Sequence, residues 1–397
     1  MDRIELLAPA GSLDRLKIAL LYGADAVYFG GRNYSLRANA KNLDISEIKE
    51  ACDYAHKLNK KVYVTVNIVF HNEDTEGIVD YLKDLSKCGV DAIIVSDPLI
   101  VDIVHDNEIK LPIHISTQYS SINYQVVNFW KELGVERVVL GRECSRDEIK
   151  EIIDKTGVEI ETFVHGAMCA SYSGRCVLSN YFTGRDANRG GCAQICRWNF
   201  DLEKDNKKVD SSTKFTMASK DLCMLENIPD MIDIGIKSLK VEGRMRSIYY
   251  IACVINNYRR AIDEYYQGTL TPERIKYYRH ELDKVANRDS VSQFYNRFPD
   301  VREQYFLGRD EVSNQEFLGL VEDYDGEYVT VRSKNYFEAG DKVEIISPDR
   351  ETYKFKLGDI YDSEGNKLDA SRHPENLVKF KFKGDVRVND MLRISLP

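Results

Sequence analysis

The chain has 397 residues, 43% hydrophobic and 30% charged, with a formal net charge of −9 at pH 7. That length predicts one large domain with a smaller one beside it. The acidic balance excludes a general nucleic-acid binder but leaves room for RNA contact through a local patch. No apolar run approaches the ~20 residues that span a bilayer. The opening MDRIELLAPAG lacks a basic stretch ahead of an apolar core, so no membrane association and a cytoplasmic location are expected.

A weak repeat runs through the first 265 or so residues: GADAVYFG from Gly23, GVDAIIVS from Gly89, GVERVVLG from Gly134, GVEIETFV from Gly157 and GIKSLKVE from Gly235. Each follows a segment of helical spacing. The pattern reads as a helix ended by a left-handed glycine and followed by a buried strand. Such units imply parallel strands joined by helical crossovers. Strands are expected at about 4–7, 26–29, 62–66, 92–95, 113–116, 137–140, 160–164 and 238–241. Ser145-Arg146-Asp147-Glu148 reads as a capping box, and Pro98 suits a first helical turn. Eight alternations over residues 1–266 predict an α/β fold, a (β/α)8 TIM-type barrel. A doubly wound sheet is the rival, and no glycine-rich dinucleotide fingerprint supports it.

One connection is long, running from Gly166 to Lys220 after the seventh strand and extending to Cys223. Long βα connections in barrels are usually functional. Residues 267–315 are polar and helical in pattern, suiting a linker. From 316 to 397 short alternating runs such as EYVTVRS, DKVEIIS and LVKFKFKG, separated by turn signals, predict a small antiparallel β-barrel.

Nine cysteines are many for a chain in a reducing compartment, and clustering points to metal or redox chemistry. Cys169, Cys176, Cys192 and Cys196 lie in the long connection, and Cys223 is expected at the start of the next helix. Thiolates suit an iron–sulfur cluster or zinc. Arg175, Arg185, Arg189 and Arg197 can offset the charge of a thiolate-ligated cluster. Alternatively, several of these thiols are small buried hydrophobes. Cys52, Cys88, Cys144 and Cys253 read as core residues.

HGAMC, YSGRC, LSNY, GRDANRGGCAQICR, SLKVEGRMRS and the opening ELLAPAGSLDRLKIALLYGADAVYFGG resemble the signature of the collagenase-like unassigned peptidases, family 32. The resemblance covers the barrel and, more loosely, the C-terminal β-domain. It implies a 4Fe–4S cluster on four cysteines, with ligands Cys169, Cys176, Cys192 and Cys223; Cys196 is the alternative to Cys223. It is strongest to the branch that hydroxylates tRNA. There it implies formation of 5-hydroxyuridine at the wobble position and prephenate as a required metabolite. The family's older label is peptidase.

His165, Gln118 and Glu242 stand at strand ends and are the candidate catalytic residues. His165 is equally readable as a structural residue that orients the cysteine loop. Arg37, Arg142 and Arg244 are candidates to clamp a dicarboxylate, because guanidinium pairs with carboxylate in a bidentate way; mouth salt bridges are the alternative. Lys379, Lys381 and Lys383 alternate with Phe380 and Phe382, which puts three cations on one strand face for phosphate contact or simple solvation. A peptidase needs an activated nucleophile or an open metal site, and HExxH and GxSxG are both missing. Cys169, four residues after His165, is the one thiol placed for such a role. Cluster and peptidase readings therefore compete for Cys169. A third reading is a cluster-bearing accessory subunit that works with a partner protein.

Overall fold

The computed structural model describes residues 3–36, 41–209, 214–286, 288–310 and 314–396. Arg37 lies outside the described residues. Eight parallel strands form a closed barrel: β1 (Glu5–Pro9), β2 (Ala26–Gly30), β3 (Lys61–Val66), β4 (Ala92–Val95), β5 (Ile113–Ile115), β6 (Arg137–Val139), β7 (Glu159–Gly166) and β8 (Ser238–Val241). Closure comes from β8, which pairs in parallel with both β1 and β7. The helices of the barrel wall are α1 (Leu13–Leu21), α2 (Ile45–Lys57), α3 (Ile78–Cys88), α4 (Pro98–Asp106), α5 (Tyr124–Glu132), α6 (Arg146–Thr156), α7 (Ile228–Asp233) and α8 (Ile248–Gln267). Local chemistry sets their ends. Ser145 and Glu148 form the expected capping box, and Gly157 stops α6 at φ 65°.

The main core lies between strands and helices and includes Leu16, Leu82, Trp130, Ile149, Ile251 and Tyr258. The strands' other faces fill the barrel with a smaller apolar group, Leu7, Tyr28, Tyr63 and Ile94 among them. Charged residues complete that interior. Arg137 bridges Glu5 at 2.5 Å and Glu161 at 3.3 Å, while Lys240 meets Glu161 at 2.7 Å. Burial opposes ionisation of Glu161, but Lys240 and Arg137 outweigh it and hold the carboxyl below its usual range.

The long connection carries a short helix, Leu178–Thr183, and three single 3-10 turns. It returns as a short strand, Asp221–Cys223, antiparallel to the end of β7. Cys223 therefore ends a strand and does not begin a helix. The linker also differs from expectation. Among its described residues, only α9 (Pro272–Asp283) is a regular helix. Beyond it, Ser290–Val291 adds to the strand Asp221–Cys223, and the amide of Tyr305 donates to Ala218. This segment braces the cysteine loop because its backbone groups find partners there.

The C-terminal runs form one curled antiparallel sheet. Its strands are β9 (Gln315–Tyr324), β10 (Tyr328–Ser333), β11 (Lys342–Ile346), β12 (Tyr353–Lys356), β13 (Leu377–Lys381) and β14 (Met391–Ser395). Their spatial order is β12–β11–β14–β9–β10–β13, extended by two short strands at 360–361 and 367–368. Leu318, Val331, Phe337, Ile345, Phe380 and Leu392 fill the curl. The sheet docks on α8 and α9. Tyr249 stacks on Phe317 with centroids 5.4 Å apart. Arg393, fully buried, joins Glu281 and Glu344, each at 2.5 Å.

Candidate functional site

The cysteine connection folds over the C-terminal ends of the strands, where barrel chemistry sits. It encloses a cavity of about 380 Å³ lined by Cys169, Cys176, Cys192 and Cys196. Gln118, Arg142, Glu143, Arg197, Glu242 and Arg246 complete its polar wall. A smaller pocket at the barrel mouth shares Gln118, Arg142 and Glu242 and adds Thr65, Asn67, Lys240 and Arg244. Tight turns bring the thiols to the cavity. Ser173 and Gln194 adopt left-handed backbone at φ 48° and 57°. Gly166 is required where β7 ends: at φ 111°, an added Cβ would stand 2.8 Å from the Glu242 carbonyl oxygen.

Backbone N–H groups already point at these sulfurs. Ser171 N donates to Cys169 Sγ and Leu178 N to Cys176 Sγ, both at 3.4 Å. Burial raises the Cys169 thiol, while the Ser171 amide and Arg142 pull it down. Burial and the neighbouring Cys169 raise Cys196, and Arg197 opposes them. A positive ligand sharing the cavity would reverse that balance and bind thiolates. Among the described residues, no three His, Cys, Asp or Glu side chains converge tightly enough for a single metal ion. The four cysteines instead surround a volume.

Cys223 is not part of this wall. It is buried, and its Sγ lies 3.7 Å from Tyr258 Oη on α8. His165, its register partner, is also turned to the helix layer and packs against Tyr250 and Tyr258. Burial pushes His165 down to about 3, which favours the neutral imidazole, and the residue does not line the cavity. Gln118 and Glu242 do reach it. Arg142 reaches it too, with its guanidinium over Phe163 and donating to the Ala167 carbonyl at 2.6 Å. Arg244 is committed elsewhere. It donates to Ser35 and Thr65, both at 2.9 Å, and to the Leu36 carbonyl, so it holds the β2–α2 connection. Arg189 pairs with Asp74, which ties the cysteine loop to the β3–α3 connection.

Lys379 and Lys381 alternate with buried Phe380 on β13, while Phe382 and Lys383 lie just past its end. Lys381 is 2.7 Å from Glu327, so this face is partly neutralised. The four bland cysteines, Cys52, Cys88, Cys144 and Cys253, are all buried.

Models of two families cover nearly all of this architecture. "Peptidase family U32" matches residues 11–305, and "Peptidase family U32 C-terminal domain" matches residues 313–393. The chain belongs to peptidase family U32. Family U32 relatives carry divergent names. "tRNA hydroxylation protein P1" of Bacillus subtilis is 47% identical over 400 residues, covering 98% of this chain and 94% of that protein. "tRNA hydroxylation protein P" of Escherichia coli is 33% identical, covering 98% and 96%. A "Collagenase" of Porphyromonas gingivalis is 33% identical over 309 residues, 74% of each chain. The U32 barrel also holds polar residues that the motifs did not single out: Lys240, Thr65 and Ser116 line the smaller mouth pocket together with Arg142. A lysine inside the otherwise apolar strand SLKV was the available signal.

Proposed function

We propose that this chain hydroxylates RNA, and specifically converts the wobble uridine of tRNA to 5-hydroxyuridine, with an iron–sulfur cluster held by Cys169, Cys176, Cys192 and Cys196. One observation carries the reading: four thiols line one cavity at the catalytic end of a (β/α)8 barrel. The 47% identity to tRNA hydroxylation protein P1 gives that cavity its substrate class.

The residues fit a cluster better than they fit zinc. Zinc needs four ligands converging on one point at about 2.3 Å from sulfur. These thiols line one cavity, and Cys169 and Cys176 accept backbone N–H bonds, which tune cluster sulfurs. Cys196 replaces Cys223 as the fourth ligand in this reading, because Cys223 faces Tyr258. When bound on four thiolates, the cluster would supply one-electron chemistry.

The chain's own groups would do the rest. Arg142, Arg197 and Arg246 line the cavity with fixed positive charge. That charge balances thiolates and suits a dicarboxylate such as prephenate. The Gln118 amide can both donate to and accept from a uracil edge. Glu242 can hold a proton beside it. The cysteine loop covers the strand ends and limits water. The reading takes the cytoplasm as its compartment, and no helix among the described residues is long and apolar enough to cross a membrane.

The collagenase relative keeps a peptidase reading in view. It lacks a nucleophile pair here. His165 packs against α8 and Cys169 faces the cavity, so no imidazole reaches the thiol to activate it. Mass spectrometry of tRNA nucleosides from a deletion strain tests the proposal. Loss of 5-hydroxyuridine-derived nucleosides, restored by the intact gene, supports it. An unchanged profile, with peptide-library cleavage that Cys169→Ala abolishes, would replace it with the peptidase.

A further inference from the structure

The loop that carries the cysteines is unlike the rest of the surface. From Ala167 to Phe200 it holds four arginines and one aspartate with no lysine or glutamate, a net +3 in a chain of −9. It also exposes large apolar side chains. Tyr172 is 52% exposed, Val177 56%, Tyr181 83% and Phe182 53%. Burial would normally remove such rings from water, so their exposure beside a site is a signal. The helix Leu178–Thr183 borders the thiol cavity through Leu178 and Ser179 and presents Tyr181 and Phe182 outward. Phe182 is braced edge-on by Trp198 at 6.2 Å and Phe200 at 5.9 Å, which holds the helix in place. Arg175 and Arg185 are exposed on either side of the cavity-bordering segment.

Rings and guanidiniums together have a specific chemical use. Every nucleobase has a face that stacks on an aromatic ring or an arginine plane, and phosphates follow the positive charge. A paired stem offers no free base faces, so this surface selects unpaired RNA. We propose that the cysteine-loop helix is a stacking platform that receives an unpaired RNA loop, with Tyr181 and Tyr172 against bases and Arg175 and Arg185 against phosphates, and delivers one base to the thiol cavity. The inference rests on the RNA reading above and names the surface that performs it. The lysine face of β13 then serves general attraction, since Lys381 is already paired with Glu327. A protein partner on the same patch is the competing occupant.

Binding is measured without turnover, by fluorescence anisotropy on the full chain. The probes are a labelled RNA hairpin with an unpaired loop and a blunt duplex of the same stem. The hairpin is expected to bind more tightly than the duplex. Tyr181→Ala should weaken hairpin binding about tenfold per lost stack while leaving duplex binding unchanged, and Tyr181→Trp should restore it. Substituting Lys379, Lys381 and Lys383 with alanine should weaken both probes equally and flatten the salt dependence. Circular dichroism and thermal melting confirm that each variant folds. Equal hairpin binding by wild type and a Tyr172→Ala/Tyr181→Ala variant would overturn the platform, as would loss of self-association or of a co-purifying protein in its place. If hairpin binding depends on Tyr181 but no nucleoside is hydroxylated, the platform stands and the assigned reaction fails.

Discussion

The hydroxyl of Tyr258 on α8 lies 3.4 Å from Nδ1 of His165 at the end of β7. The same oxygen donates to the Val164 carbonyl at 2.8 Å and accepts from the Met224 amide at 3.1 Å. One phenol thus ties the last barrel helix to both strands that frame the cysteine loop. Tyr258→Phe removes these bonds, but the Met224 amide keeps its own bond to the Val164 carbonyl at 2.8 Å, so stability should fall by about 0.5–1.5 kcal/mol. Denaturant unfolding of the purified variant measures it. If the thiol cavity holds a cluster, its metal content should not change, because neither Tyr258 nor His165 lines that cavity.

Gly166→Ala tests the entry to the loop. The new Cβ would press on the Glu242 carbonyl at a φ that L-residues rarely adopt. Strain of this kind costs roughly 1–3 kcal/mol. The expected result is a lower melting temperature together with faster proteolysis between β7 and the strand Asp221–Cys223. Unaltered melting and proteolysis would show that the two strand ends can part without cost.

Arg393 is the centre of the contact between barrel and C-terminal sheet. Arg393→Met would leave Glu281 and Glu344 buried with Lys284 as their remaining buried cation. Removing one partner of a buried pair costs about 3–5 kcal/mol. The variant should unfold at clearly lower denaturant concentration, read by intrinsic fluorescence.

The same cluster predicts acid sensitivity. Burial alone would raise Glu344, but Arg393 and Lys284 outweigh it and pull the carboxyl down to about 2. Its folded value is thus below its unfolded one. The stability it contributes is complete above the ordinary carboxylate range and is lost as pH falls from about 5 toward 2. Melting temperature should drop over that window in wild type. The drop should be smaller in Arg393→Met, where the depression of Glu344 is relieved.

Much of this was legible in the sequence because it depends on local chemistry. Helix-ending glycines, the Ser145–Glu148 box and Pro98 mark elements by their own dihedral preferences, so the five strands that follow a repeat glycine fall where the repeat put them. The cysteine run was legible as a site because thiols and left-handed turn residues crowd one connection. What was not legible depends on side-chain direction at strand ends. His165 ends a strand that was expected and Cys223 a strand that was not, and both turn to Tyr258, a residue 35 positions beyond Cys223. Arg244 looked free at the mouth because its partners Ser35 and Thr65 are more than 170 residues away in sequence. Spacing cannot weigh such distant contacts.

The most direct test is an iron, acid-labile sulfide and zinc assay on anaerobically purified wild type, Cys196→Ala and Cys223→Ala, with visible spectra. The account predicts about four irons and four sulfides per chain in wild type and in Cys223→Ala, and loss of both in Cys196→Ala. Zinc alone in wild type, or cluster loss in Cys223→Ala with retention in Cys196→Ala, would contradict it.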